Sequence, residues 1–167
     1  MMIAVAILVV AAAVALLIPA LRTPGLVLSD QNTGKVFARI PLKDGDSFSV
    51  TFRHSVNKSD VTEIYQRRGK EIWLTGCVYY DFGAGVAEEL DPGWTLEMGD
   101  HGEMILGNIE MKMNDLTYIV GTVYDHILEI NGEKIILNEL CGKNPLSRAW
   151  RGLAPTKHGL SPASRVR

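Results

Sequence analysis

Between Leu26 and Leu140, apolar and polar residues alternate in short runs separated by turn residues. A period of two over four to eight residues predicts half-buried strands, and no long 3.6-residue period competes with it. The predicted strands are Leu26–Ser29, Val36–Pro41, Ser47–His54, Val61–Arg68, Glu71–Tyr80, Trp94–Met98, Met104–Met113, Leu116–Thr122, Ile127–Ile130 and Glu133–Leu137. Asn131-Gly132, between LEI and EKIIL, predicts a two-residue hairpin of the I′ type. Turns are also expected at Lys43-Asp44-Gly45-Asp46, Arg68-Gly69-Lys70 and Asn114-Asp115. Consecutive hairpins of this kind make a mainly β domain, an antiparallel sandwich or a meander with barrel-like closure.

The first residues break the pattern. Ile3 to Ala20 reads IAVAILVVAAAVALLIPA, without a charge and without the polar stripe of a core helix. As a helix, 18 residues span about 27 Å, close to one hydrocarbon core. Residues 1–22 are therefore expected to be an apolar helix acting as a signal anchor. The alternative is a cleaved signal peptide, with Ile18-Pro19-Ala20 as a mediocre processing site. The length of the run favours retention. No Lys or Arg precedes it and Arg22 follows, so orientation rests on the terminal amine. The expectation is a single-pass protein of the cell membrane with residues 25–142 on the extracytoplasmic side, or a secreted or periplasmic product after cleavage. No lipobox-type cysteine follows the segment.

Charge sharpens the division. The formal net charge is −2, but residues 143–167 hold six Lys or Arg and no Asp or Glu. The rest of the chain then holds 11 basic and 19 acidic residues, a net of −8. An acidic body argues against nucleic acid as a partner. Residues 143–167 are expected to be a basic, solvated tail, with contact to anionic lipid or an acidic partner as the alternative. Cys77 and Cys141 are either one disulfide of an exported domain or two buried thiols. They form no CxxC, and the four histidines form no HxxxH, so no structural zinc and no cofactor is expected.

One constellation carries chemistry. In SFSVTFRHSVNKSDVTEIYQRR, Phe48, Val50 and Phe52 define a buried face on which His54 also falls. In the following strand Val61, Glu63, Tyr65 and Arg67 share a face. A symmetric hairpin about residues 55–60 sets His54 against Val61 and Phe52 against Glu63. Glu63 is then a diagonal neighbour of His54. An inward charge is costly unless paired, and His54 with the Tyr65 hydroxyl would satisfy it. The functional reading is a polar pocket of His54, Ser55, Glu63 and Tyr65, with His126 as a third group for a ligand or metal. The structural reading is a hydrogen-bond network that pins the hairpin. Ser55 beside His54 is not a triad. A second feature is Tyr79-Tyr80-Asp81-Phe82-Gly83-Ala84-Gly85-Val86. Gly83 and Gly85 permit a tight loop, either one lip of a binding site or a plain turn.

The run Phe52-Arg53-His54-Ser55-Val56, then Glu63-Ile64-Tyr65, then Phe82-Gly83-Ala84-Gly85 resembles the family known as domain of unknown function 1850. Val86 stands near where that family's pattern has a proline. The resemblance spans about Leu26 to Leu137 and implies a small exported or membrane-anchored protein. It also implies association with tripartite ATP-independent periplasmic (TRAP) transporters, through a membrane subunit or a solute-binding protein. It implies no chemistry. The leading expectation is a non-enzymatic extracytoplasmic accessory domain. A small-ligand or metal-binding module is second, and a hydrolase third.

Overall fold

The computed structural model describes residues 25–56, 58–80, 90–113, 116–120 and 123–142, and the backbone of 148–151. The expected anchor, Gly83, Gly85 and the Asn114-Asp115 turn lie outside the described residues. Twelve strands are described: β1 Gly25–Asp30, β2 Val36–Pro41, β3 Ser47–Arg53, β4 Asp60–Arg68, β5 Glu71–Tyr79, β6 Thr95–Met98, β7 Met104–Gly107, β8 Met111–Lys112, β9 Tyr118–Ile119, β10 Ile127–Ile130, β11 Glu133–Ile136 and β12 Arg148–Arg151. One short helix, α1 Leu137–Cys141, follows β11. The domain is mainly β, and every strand pair is antiparallel.

The strands form two sheets. The smaller has the order β2-β1-β12-β9; the larger has the order β11-β10-β3-β4-β5-β7-β6, with β8 also paired to β5. Alternation explains the shared core. Leu26 and Leu28 of β1 and Tyr118 of β9 point from the smaller sheet into a cluster with Phe48, Val50, Tyr65, Leu106, Leu128 and Ile130 of the larger. Two bulges interrupt the alternation. In β5 the pairing jumps from Ile64↔Gly76 to Tyr65↔Leu74, so the buried set switches from Ile72 and Leu74 to Cys77. A jump between Leu28 and Ser29 of β1 likewise buries two successive residues.

The turns follow their residue chemistry. Asn131 and Gly132 have φ of 53° and 77°, the left-handed pair that a I′ turn needs. The Asn131 side-chain amide also donates to the Pro41 carbonyl at 2.8 Å and ties the two sheets together. Several expected boundaries move. The single strand expected over Met104–Met113 is β7 and β8, broken at Asn108, whose φ is 57°. Leu116–Thr122 contracts to β9, and Leu137 begins α1 instead of ending β11. Arg148–Arg151 departs from the expected solvated tail. Its backbone fills the slot between β1 and β9, with Ala149 opposite both Asp30 and Tyr118.

The two ends of the larger sheet differ. Gly25 pairs with Pro41, and Pro41 is bonded to the Asn131 turn. β12 runs back along β1 from Asp30 toward Val27, so Arg151 lies near that same end. The described chain therefore enters and leaves at the end marked by Asn131-Gly132. The β3–β4 turn lies at the other end, about 25–30 Å away along nine residues of β4.

Candidate functional site

The inner face of the larger sheet is a grid set by register. One row runs Leu128, Val50, Glu63, Cys77, Leu106; the next runs Ile130, Phe48, Tyr65, Leu74. Glu63 thus enters an otherwise apolar row. As its parity predicts, Glu63 is half-buried on the face of Phe48, Val50 and Phe52.

Its partners are tyrosines. The Tyr65 hydroxyl donates to Glu63 Oε2 at 2.7 Å, and the Tyr118 hydroxyl donates to the same oxygen. The two hydroxyls are also 2.7 Å apart. Tyr118 comes from β9, so the group bridges the two sheets. Tyr65 is fully buried and Tyr118 is 9% exposed. Stacking of Phe48 on Tyr65, at 5.2 Å between centroids and 20° between planes, fixes the Tyr65 ring. Burial raises both phenols well above their ordinary range, and the Glu63 charge raises them further. Both are therefore protonated donors at any physiological pH, which is what a carboxylate acceptor needs. Burial pushes the Cys77 thiol up to about 12, with the Glu63 charge as a second cause. Burial likewise raises Tyr79.

His126 joins this region through rings. It stacks on Phe52 at 5.8 Å and 13°, and meets Tyr118 edge-on at 6.2 Å. Phe52 and Tyr118 are themselves 5.9 Å apart. The His126 Nδ1 is buried with no hydrogen-bond partner among the described residues. Burial lowers the His126 pKa. A neutral imidazole is consistent with that setting.

His54 and Ser55 lie elsewhere. The ladder closes at Arg53↔Asp60, with Val50 opposite Glu63 and Phe52 opposite Val61. The expected register is thus off by two residues. Glu63 has Phe48 and Phe52 as diagonal neighbours, and the expected His54–Glu63 contact is not formed. The cause is the turn. The His54 N–H donates to the Ser59 carbonyl at 2.8 Å, and the Lys58 N–H donates to the His54 carbonyl at 3.0 Å. Lys58 adopts φ 58° to close it. A shift of two preserves parity, so Glu63 stays inside while His54 leaves the strand. The His54 Nδ1 accepts from the Val56 N–H at 3.4 Å, and Ser55 is exposed.

The structure thus gathers Glu63, Tyr65 and His126, and adds Tyr118, Phe52 and Cys77. Tyr118 is the member missed from the sequence. Leu116, Tyr118 and Val120 alternate inward, and an inward tyrosine demands a hydroxyl partner, which is the signal that marks it. Cys77 and Cys141 are both buried free thiols. Among the described residues, no group of three His, Cys, Asp or Glu is arranged to hold a metal ion, and no helix is long and apolar enough to cross a membrane.

The fold and this group define a small antiparallel β domain with an acid–tyrosine bridge between its sheets. The family model described as "Domain of unknown function (DUF1850)" matches residues 48–137, and the chain belongs to that family. The match runs from β3 to the first residue of α1 and contains the whole bridge. No curated protein and no solved structure matches the chain.

Proposed function

We propose that this chain is a non-enzymatic accessory domain, a two-sheet β-sandwich held at the outer face of the cytoplasmic membrane by residues 3–20. Its partner in this reading is a TRAP-type transporter, through the membrane subunit or the solute-binding protein. The partner class rests on the family resemblance. The observation that carries the accessory reading is the use made of Glu63. Its Oε2 takes two phenol donors, one from each sheet, and so fastens the fold. The position of Gly25 adds to this. A tether there holds one end of the domain and presents the His54–Ser59 end outward. Membrane fractionation followed by cross-linking and pull-down tests the proposal. Recovery of a transporter subunit is expected. Repeated cross-linked pull-downs without one, or a full-length chain in the soluble fraction, overturn it.

A second reading, a small-ligand or metal module, is favoured by one observation: the unpartnered Nδ1 of His126 beside Tyr118. A ligand donating to that nitrogen would raise the melting temperature of the wild type and not of His126→Phe. An unaltered melt across a broad panel of solutes and divalent metals removes this reading.

A further inference from the structure

Among the described residues the two sheets have four edges, at β2, β9, β11 and β6. Three are defended against further pairing by charge, proline, shortness or cover. β2 carries Arg39 and ends in Pro41, β9 has two residues, and β11 opens on Glu133-Lys134 and runs into α1. β6 has neither lysine nor proline in Thr95-Leu96-Glu97-Met98, and all four residues are exposed. Its ladder is to β7 alone, and no other backbone hydrogen bond among the described residues reaches it. Antiparallel pairing turns half of its N–H and C=O groups away from β7. The cover of the inner face also ends here. Leu96 stands opposite Leu106 and Met98 opposite Met104. Leu106 and Met104 are 3% and 1% exposed, whereas Leu96 and Met98 are 42% and 61% exposed. An apolar face thus continues past its cover to an open edge.

We propose that β6 is a docking edge for an extended segment of another protein, one that alternates apolar residues with Lys or Arg. Strand addition supplies main-chain hydrogen bonds, and the side chains on the two faces supply selectivity. On the inner face an apolar residue of the incoming strand packs beside Leu96 and Met98. On the outer face the intervening residue stands beside Glu97, where cross-strand pairing favours a cation. The surroundings point the same way. Between Lys70 and Lys112 the chain has nine Asp or Glu and no Lys or Arg. Asp91, Glu97, Asp100 and Glu103, on and beside β6, are in no ion pair among the described residues. A second copy is disfavoured, because two-fold pairing of β6 strands brings two Glu97 side chains together on two acidic bodies. The chain's own residues 152–167 are basic, but Pro155, Gly159 and Pro162 leave no alternating run to pair. The edge is independent of whether residues 3–20 span a bilayer.

The test uses the full chain in nonionic detergent and a fluorescein-labelled peptide of about ten residues, alternating Val and Lys, long enough to span β6. Fluorescence anisotropy is expected to show saturable binding, about tenfold tighter than for a peptide alternating Val and Glu. Glu97→Lys, at an exposed position, should leave the melting temperature unchanged and weaken binding of the Val–Lys peptide about fivefold. Methylating every backbone amide of the peptide keeps its side chains and should abolish binding. Saturating peptide should slow amide exchange in β6 and not in β2 or β11. Absence of saturable binding overturns the proposal, as does protection at β2 or β11 instead of β6. A methylated peptide that binds equally well reports charge attraction alone and overturns it too. Binding that appears only after deletion of residues 152–167 assigns the edge to the chain's own basic segment. A dimer in sedimentation whose formation protects β6 assigns it to a second copy. Either of these results also overturns the proposal.

Discussion

Removing one oxygen from the bridge tests the account of Glu63 directly. Tyr118→Phe keeps the ring against Phe52 and His126 and deletes the donor that crosses from β9 to Glu63 Oε2. The carboxylate keeps Tyr65 as a donor. The loss is then one hydrogen bond to a charged group, about 1.5–3 kcal/mol. For a domain of this size that corresponds to a fall in Tm of about 5–12 °C. Glu63→Leu supplies the control. Without the carboxylate, one hydroxyl is released to donate to the other, 2.7 Å away, so Tyr118→Phe on that background removes only a neutral bond of about 1 kcal/mol. The double-mutant cycle should therefore show a coupling of about 0.5–2 kcal/mol between positions 63 and 118. Chemical denaturation of the four proteins measures it. A cost below about 0.5 kcal/mol for Tyr118→Phe, or strict additivity with Glu63→Leu, would refute the bridge.

Alkaline pH should weaken the fold through Cys77. Its thiol ionises near 9 when unfolded and only near 12 when folded, so the folded state holds the proton longer and stability falls as pH rises from 9 toward 12. The loss is about 1.4 kcal/mol by pH 10, read by urea melts, and Cys77→Ala should lack it. At the acid side His126 acts. Its folded pKa lies below the unfolded value, so stability falls as pH drops below about 6.5 and levels off beneath the folded pKa. His126→Phe should flatten that limb in the same melts; an unchanged limb would assign it elsewhere. Asn131→Ala removes both a residue suited to φ 53° and the bond to Pro41, and should cost about 1.5–3 kcal/mol by thermal melting. Glu63→Leu should speed amide exchange in Leu116–Val120 more than in β3 and β4, and equal protection by mass spectrometry would contradict a role in holding β9.

What the sequence disclosed divides along the range of the interactions involved. The mainly β character, the I′ turn at Asn131-Gly132 and the inward parity of Glu63 and Tyr65 depend on local chemistry and a period of two. They are legible one segment at a time. Of the partners of Glu63, the Tyr65 hydroxyl is legible in the same segment, while Tyr118 is not, and the expected His54 is not a partner. Parity says that a side chain points inward, but its neighbours depend on the turn, and the left-handed Lys58 moved the register by two. His54 shared the parity and left the strand for that reason. Tyr118 stands 55 residues beyond Glu63, on the other sheet, and no local pattern links them. The bulge after Ile64 was hidden as well, because Gly76 and Cys77 fit an alternating strand as well as an interrupted one. β12 was hidden by composition: RAWR within a basic stretch reads as solvated until an open edge of β1 supplies its hydrogen bonds.

The use of a carboxylate in this core is better explained by specificity than by net stability. Desolvating a charge offsets much of what its hydrogen bonds gain, and an apolar replacement of similar volume is often neutral. The local problem is β9. It has two residues and is joined to the smaller sheet by two pairs, Arg148↔Ile119 and Ala149↔Tyr118. So short a strand specifies its own register weakly, and a slip of one residue would turn Ile119 inward and Tyr118 out. An apolar row accepts either side chain at modest cost. A row containing Glu63 does not, because only a phenol at position 118 reaches Oε2 from that side. The penalty for leaving the carboxylate short of a donor makes the alternative register expensive. On this argument Glu63 selects one seating of β9 over the other, and the order of that strand, more than the midpoint of global unfolding, is what the carboxylate protects.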